Sequence, residues 1–368
     1  VSGDSDGMNR AVNDLDKNSD KLSQKLSSPI WKVAAKAPVV GGDVKSARVL
    51  ANVLSDAVDS AIRPAIKVIN ENPVSGIKMG DDGYNINTII SYVDFAEGLM
   101  PKLGEYSKSL SGISFKVIKL GSVSEYIDMI KSLSGAYDKY SSYVPLIKAF
   151  LGDGSDKYYL IAAQATNEMR ATGGFPGSMG SLVIKDGVLS LGDFSSVTNY
   201  LPGWNAESAT PSNNDIALFG FWVNFPRNAC CYLNFEMTGY CWAEDCEKMT
   251  GQHVDGVISM TPAVVQKLLS VIDGEIKLTD GTVVNGKNAT KAIMYDLYFK
   301  YFSKERYDAT SNTESDSMFA ETADKAMKLF LLSIDIKKVD EYINIFDEST
   351  KENIFKLWLR DEEGEKLI

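Results

Sequence analysis

The chain has 368 residues, of which 44% are hydrophobic and 24% are charged, and its formal net charge is −11. This is the composition of an ordinary globular protein that is long enough for two domains. The acidic balance and the lack of a basic tract exclude a typical nucleic-acid-binding protein, and no apolar run reaches the ~20 residues of a membrane-spanning helix.

The first part of the chain, residues 1–152, has the apolar spacing of packed helices. Hydrophobic residues recur every three or four positions in segments 49–62, 86–103 and 126–150. Prolines and glycines interrupt the pattern between these segments, and each interruption predicts the end of a helix. We therefore predict an N-terminal elongated helical bundle that serves as a structural stalk or spacer.

The pattern changes near residue 153, and residues 153–368 predict an α/β sandwich with a mixed sheet. Tyr158–Gln164 has the composition of a buried strand, and Asp186-Gly187 between two apolar runs predicts a β-hairpin. Residues 193–228 are rich in Gly, Pro, Ser and Asn and predict a long loop. The other predicted elements are strands at 254–260, 275–278 and 354–359 and helices at 262–272, 286–302 and 317–332.

A polar cluster and a glycine-rich turn follow the predicted strand Tyr158–Gln164 at once. Rigid strands that end in such loops commonly carry binding or catalytic side chains. We therefore take this block as the candidate site, with Arg170 and Glu168 as candidate catalytic residues. The predicted ligand-binding residues are Gln164, Gly173, Gly174, Phe175, Arg227 and Asp255.

Arg170 is the most informative residue of the block, because only seven of the 38 basic residues are arginines. Its planar guanidinium suits phosphate or carboxylate, and backbone amides of the Gly173–Gly174 turn would supplement it. Arg227 is the other arginine in the middle of the chain. Glu168 has three open interpretations: a metal ligand, a general base, or the ion-pair partner of Arg170.

Aromatic residues are frequent around the candidate site. They are Phe175, Trp204, Phe219, Phe221, Trp222 and Phe225. One interpretation is ordinary core packing. The alternative is an apolar groove that leads to Arg170, in which a polyprenyl chain would contribute ~0.8 kcal/mol per buried CH₂.

The four cysteines, Cys230, Cys231, Cys241 and Cys246, lie close together in sequence. They favour a local disulfide framework in an oxidising compartment, with two alternatives. One is a zinc site, although paired Cys-x₂₋₄-Cys spacing is lacking. The other is that they are small buried side chains on a helix.

The chain starts at Val1 with a polar stretch rather than with Met. We expect from this that a signal peptide or membrane anchor precedes it in the full protein.

The motif block resembles the bacterial envelope family known as domain of unknown function 4012. The residues that carry the resemblance are Tyr159-Leu-Ile-x-x-Gln164, Glu168-Met-Arg170-Ala-Thr-Gly173-Gly174-Phe175-x-Gly177, Asn224-Phe-Pro226 and Val254-Asp255-Gly256-Val257-Ile258. The resemblance implies an ectodomain with an N-terminal membrane anchor. It places the protein on the extracellular face of the bacterial membrane or in the cell wall.

More distantly, the family is similar to the LytR-CpsA-Psr proteins, which transfer glycan phosphates from polyprenyl diphosphate carriers to peptidoglycan. This similarity implies a LytR-CpsA-Psr-like sandwich, with arginines on the pyrophosphate and a lipid pocket. It also implies that Glu168 and Asp255 hold Mg²⁺ or accept a proton. The implied partner is a cell-wall glycan or a lipid-linked sugar phosphate.

Three positions depart from the family pattern. Ala165 stands where the family has asparagine, Asn224 where it has aspartate, and Met260 at an often acidic position. These differences favour ligand binding over catalysis. The main expectation is therefore an envelope domain that binds a polyprenyl-phosphate-linked or other anionic glycan, with phosphotransfer left open. The alternative is a non-catalytic surface or structural protein that mediates protein or glycan contacts.

Overall fold

The computed structural model of the chain describes residues 5–73, 77, 79–80, 83–116, 132, 135, 137–152, 154–303 and 311–368. The chain forms two compact units, one of residues 1–78 and 85–153 and one of residues 79–84 and 154–368. Most of the predicted helical segment 126–136 lies outside the described residues. Within the described ranges, no helix is long and apolar enough to cross a membrane.

The first unit is helical in its described part, which confirms the helices predicted at 49–62 and 86–103. Leu50, Leu54 and Ala57 pack against Leu103 and Tyr106 in its core, because their spacing puts them on one helix face. A π-helical turn at 58–62 joins α3 to α4. The helices are α1 (Ser5–Leu26), α2 (Pro29–Ala34), α3 (Gly41–Ala57), α4 (Arg63–Glu71), α5 (Asn87–Ser111) and α6 (Tyr143–Leu151).

The second unit is built on a mixed β-sheet, as predicted. Its strands are β1 (Met79–Gly80), β2 (Gly83–Asn85), β3 (Lys157–Ala165), β4 (Phe175–Lys185), β5 (Val188–Leu191), β6 (Ser195–Ser196), β7 (Gly256–Met260) and β10 (Phe355–Leu359). Their order is β1-β2-β5-β4-β3-β7-β10, and β6 pairs with β4. The pair β3–β7 is parallel, whereas β3–β4, β4–β5 and β7–β10 are antiparallel. β8 (Glu275–Lys277) and β9 (Val283–Asn285) form a separate hairpin.

Helices cover both faces of this sheet. They are α7 (Val197–Tyr200), α8 (Asn213–Phe219), α9 (Phe235–Thr250), α10 (Pro262–Val271), α11 (Ala289–Lys291), α12 (Leu297–Phe302), α13 (Ser311–Leu332), α14 (Val339–Lys351) and α15 (Glu362–Glu365). Leu160, Val257 and Trp358 share one face and pack with Trp242 of α9. Side chains alternate along a strand, so the intervening residues face the other way, where α10, α13 and α14 pack.

The long loop predicted at 193–228 is wrong, because the structure folds most of this segment into short helices. Besides α7 and α8, there are 3₁₀ turns at Glu207–Ala209, Phe221–Asn224 and Pro226–Cys231. Ser212 and Asp215, for example, form a capping box on α8, and composition alone does not distinguish such capping residues from loop residues. The segment is also held by Trp242, whose indole donates to the Pro226 carbonyl at 2.8 Å.

The predicted disulfide framework is also wrong, since the structure leaves all four cysteines as free thiols. Cys241 and Cys246 lie on α9, five positions apart, and therefore point in different directions from the helix. Cys230, Cys241 and Cys246 are buried in the apolar cluster around Trp242. Three of the cysteines therefore act as small apolar core residues, and Cys231 is partly exposed.

Candidate functional site

The motif loop begins where β3 ends at Ala165 and returns to the sheet at Phe175. Gln164 is buried and fastens this loop: its amide nitrogen donates to the Gly174 carbonyl at 2.6 Å, and its side-chain oxygen accepts from Ser259. Gly174 has φ of 140°, and a Cβ there would overlap the carbonyl oxygen of Ala165. The loop conformation therefore requires glycine at this position.

Glu168 and Arg170 of the motif loop do not pair with each other in the described structure. Arg170 donates from Nη1 to the Met169 carbonyl at 2.9 Å, and its guanidinium lies 5.6 Å from the ring of Phe175. The carboxylate of Glu168 accepts from the hydroxyl of Tyr298 at 2.7 Å. Burial, together with this bond to Glu168, raises the pKa of Tyr298. The Glu168–Arg170 ion pair considered from the sequence is therefore absent among the described residues.

Arg227 reaches the same region from the 3₁₀ turn Pro226–Cys231. Its guanidinium lies 4.9 Å from the ring of Phe225. The turn is tied to the motif loop by Thr172, whose amide and hydroxyl both donate to the Cys230 carbonyl, at 3.2 and 3.0 Å. These two bonds hold the segments that carry Arg170 and Arg227 next to each other.

The two arginines line one cavity of about 410 Å³. Within the described part of the chain, neither guanidinium forms an ion pair, and no carboxylate lines this cavity. The residues that line it are Arg170, Phe219, Trp222, Val223, Arg227, Asn228 and Cys231. Two cations beside aromatic and aliphatic walls make the cavity suitable for an anion that carries an apolar group.

Cys231 gives this cavity a nucleophile. The neighbouring Cys230 thiol and the positive charge of Arg170 lower the pKa of the Cys231 thiol, against partial burial. Its neighbour Cys231 and burial raise the pKa of Cys230, whose thiol donates to the Arg227 carbonyl at 3.3 Å. Of the two neighbouring thiols, Cys231 is therefore the one that ionises more readily.

Two other predicted ligand-binding residues, Gly173 and Asp255, do not line the cavity. The amide of Gly173 donates to the Arg170 carbonyl at 3.2 Å, so it is not free to bind an anion. Asp255 precedes β7, where it accepts from Lys157 Nζ at 3.1 Å and from the Tyr158 amide at 2.9 Å. Since β3 and β7 run parallel, Asp255 lies at the opposite end of the sheet from Glu168.

This arrangement does not fit the expected Mg²⁺ site. Glu168 is held by Tyr298 and Asp255 by Lys157, at opposite ends of the strands, so they do not converge on one cation. Among the described residues, no group of three or more His, Cys, Asp or Glu side chains is placed to hold a metal ion.

Sequence reasoning missed Asn228 and Cys231 as residues of the cavity. Asn228 and Cys231 come one and four positions after Arg227. This closeness in sequence to a predicted site residue is the local signal that could have indicated them. Phe219 and Trp222 belong to the aromatic set considered for an apolar groove, and both do line the cavity.

Comparison with known protein families gives a match within the second unit. No curated protein and no solved structure matches the chain. Residues 154–298 match the model of a family described as protein of unknown function (DUF4012), which confirms the predicted resemblance over that range.

Proposed function

We propose that the second unit binds an organic phosphate or diphosphate, with Arg170 and Arg227 as its anion contacts. The observation that carries this proposal is the pair of arginines without ion-pair partners, among the described residues, on one cavity that no carboxylate lines. Arginine forms forked, charge-assisted hydrogen bonds that match phosphate oxygens. Two such groups on one cavity suit a dianionic ligand better than a monoanion.

The walls favour a phosphate that is attached to an apolar chain. Phe219, Trp222 and Val223 line the cavity beside the arginines. Each buried CH₂ of a lipid contributes ~0.8 kcal/mol, whereas a charged hydrogen bond contributes ~1.5–3 kcal/mol. Several isoprene units would therefore dominate affinity, and the arginines would fix the position of the phosphate.

We infer from this chemistry that the ligand is a polyprenyl-phosphate-linked glycan or its carrier in the bacterial cell envelope. The similarity of residues 154–298 to the DUF4012 family supports the proposal of a ligand from the cell envelope. A relation to the LytR-CpsA-Psr transferases and an extracytoplasmic location are part of the same proposal. They rest on the motif resemblance described above.

The proposal is for binding rather than for turnover. The carboxylate of Glu168 accepts a hydrogen bond from Tyr298, and Asp255 pairs with Lys157 at the other end of the strands. Neither of the two predicted acidic residues therefore lines the cavity beside the arginines. A phosphotransfer mechanism needs a group that accepts or donates a proton at the reacting oxygen. We assign no such step to these residues.

The test is a comparison of three soluble probes by Trp fluorescence, which reports on Trp222 at the cavity. We expect farnesyl diphosphate to bind more tightly than inorganic pyrophosphate, and farnesol to bind weakly. Arg170→Ala and Arg227→Ala should each weaken farnesyl diphosphate binding roughly 10- to 100-fold, the worth of one charged hydrogen bond.

Lys185→Ala is the matched control, because it removes one exposed positive charge at the far end of β4 from the motif loop. It should leave the affinity unchanged. Unaltered binding in both arginine variants, or an equal loss in the Lys185 variant, would refute the proposed phosphate contacts.

A further inference from the structure

An exposed group of apolar side chains lies beside the two-arginine cavity. Leu218, Phe221 and Trp222 expose 69%, 55% and 64% of their surface, and Trp204 exposes 52%. The rings of Trp204, Phe221, Trp222 and Phe225 contact one another, with centroids 4.9–6.4 Å apart. We call these four rings, together with Leu218 of α8, which directly precedes the cavity residue Phe219, the aromatic patch. Contiguous exposed apolar surface of this kind marks an interaction site.

The backbone beneath the aromatic patch is held in place by asparagine side chains. Asn228 donates to the Trp222 carbonyl at 2.7 Å, and Asn224 donates to the Phe221 carbonyl at 2.8 Å. These bonds satisfy carbonyl groups in the turn and fix its shape. The rings are therefore held outward by an ordered turn.

The charge next to the patch indicates which kind of surface it contacts. Trp222 also lines the cavity of Arg170 and Arg227, and Arg227 lies over the ring of Phe225. The chain as a whole has a net charge of −11, so two arginines without an ion pair in the described structure make this a locally positive place on an acidic protein. Lys248 adds a positive charge, since its Nζ donates to the Trp204 carbonyl at 3.3 Å, whereas Asp215 lies three positions before Leu218 on α8 and is the acidic residue on that helix. Charges beyond the ~10 Å Debye length are screened, so these neighbouring groups decide which surface is attracted.

We propose that the aromatic patch docks on a phospholipid bilayer that contains anionic lipid, with Phe221, Trp222 and Leu218 at the interface. Trp and Phe side chains favour the region between headgroups and acyl chains, and arginines beside them pair with lipid phosphate. This docking rests on the proposed phosphate site, since it brings the cavity to the depth at which a lipid-linked phosphate lies.

The test is co-sedimentation of the protein with vesicles of phosphatidylcholine alone or of phosphatidylcholine with about 30% phosphatidylglycerol, an anionic lipid that attracts basic groups. The variants are Phe221→Ser and Leu218→Ser, neither of which lines the cavity. Phe299→Ser is the matched control, because Phe299 exposes 59% of its surface on α12, close to the value for Phe221. Far-ultraviolet circular dichroism verifies that each variant is folded.

We expect the wild type to bind the anionic vesicles and to bind phosphatidylcholine vesicles more weakly. Phe221→Ser and Leu218→Ser should each lower the vesicle partition coefficient roughly tenfold, the loss for one large apolar side chain. The Phe299 variant should bind as the wild type does. Absence of vesicle binding, as expected for a surface that contacts a protein, would overturn the docking proposal. Equal binding by the wild type and the Phe221 variant would overturn it too, as would an equal loss in the Phe299 variant.

Pyrophosphate binding, measured on the same samples, separates this inference from the proposed function. A wild type that binds pyrophosphate but not vesicles refutes the docking alone. A wild type that binds vesicles but not pyrophosphate refutes the phosphate site.

Discussion

Thr172 donates two hydrogen bonds to the carbonyl oxygen of Cys230, one from its amide and one from its hydroxyl. This contact joins the motif loop, which carries Arg170, to the 3₁₀ turn that carries Arg227. Because Thr172 is buried, water cannot replace the hydroxyl if it is removed. This contact therefore helps to hold the two arginines on one cavity.

Thr172→Val should lower the free energy of unfolding by roughly 1–2 kcal/mol, the cost of one buried hydrogen bond. It should also weaken pyrophosphate binding, because one of the two bonds that join the segments carrying the arginines is lost. Urea unfolding and fluorescence titration measure the two effects. Thr172→Ser keeps the hydroxyl and should retain most of the affinity, and a valine variant with wild-type affinity would show that the contact does not position the arginines.

Gly174→Ala should destabilise the protein by roughly 3 kcal/mol or more. The residue has φ of 140°, and its Cβ would overlap the Ala165 carbonyl oxygen, so both the backbone and the packing oppose a side chain. Gly177→Ala is the control in the same block, since a Cβ at Gly177 meets no atom within 4 Å. Urea unfolding should separate the two variants, and equal midpoints would contradict the strained loop.

Asp245 predicts a loss of stability as the pH rises. Burial raises the pKa of its carboxyl to about 7 from the ordinary 3.8, against a hydrogen bond from the Ala206 amide and the charge of Lys248. Its Oδ2 has no hydrogen-bond partner among the described residues. Because the folded protein holds this proton more tightly than the unfolded chain, stability falls between about pH 4 and pH 7.

The check is urea unfolding of the wild type and of Asp245→Asn at pH 5 and pH 8. The asparagine cannot ionise, so the variant should gain roughly 2–3 kcal/mol relative to the wild type between the two pH values. The comparison between variants cancels the titration of groups that do not interact with Asp245. A constant difference between the two proteins across this range would contradict a raised pKa for Asp245.

Cys231 should be the first cysteine to react with iodoacetamide in the folded protein. Its pKa is lowered by the neighbouring Cys230 thiol and by Arg170, whereas burial raises the pKa of Cys241 and Cys246. Peptide mass spectrometry after short exposure identifies the site. The rate should fall as the pH is lowered, and Arg170→Ala should slow labelling. Saturating pyrophosphate should protect Cys231, and labelling of Cys241 at the same rate would contradict this assignment.

The sequence patterns predicted the local elements of the second unit well. The strand Tyr158–Gln164 and the hairpin at Asp186-Gly187 are confirmed, because alternation, turn residues and apolar runs are set by neighbouring residues. The motif block also indicated Arg170 as a candidate anion contact. In the structure Arg170 lines a cavity, which an anion contact requires.

The composition of the site depends on contacts between distant residues, which no local pattern contains. Closeness in sequence suggests Glu168 as the partner of Arg170, but its carboxylate is held by Tyr298, 130 positions away. Arg227 joins Arg170 through the bond between Thr172 and Cys230. The family resemblance groups Asp255 with Glu168, although the parallel pairing of β3 and β7 puts the two at opposite ends of the sheet.

The most direct test of the phosphate site is a crystal structure of the protein with bound farnesyl diphosphate. The phosphates should lie between the guanidinium groups of Arg170 and Arg227, with nitrogen–oxygen distances of about 2.7–2.9 Å to both. The prenyl chain should lie against Phe219 and Trp222. A diphosphate that binds away from both arginines would show that they are not its anion contacts.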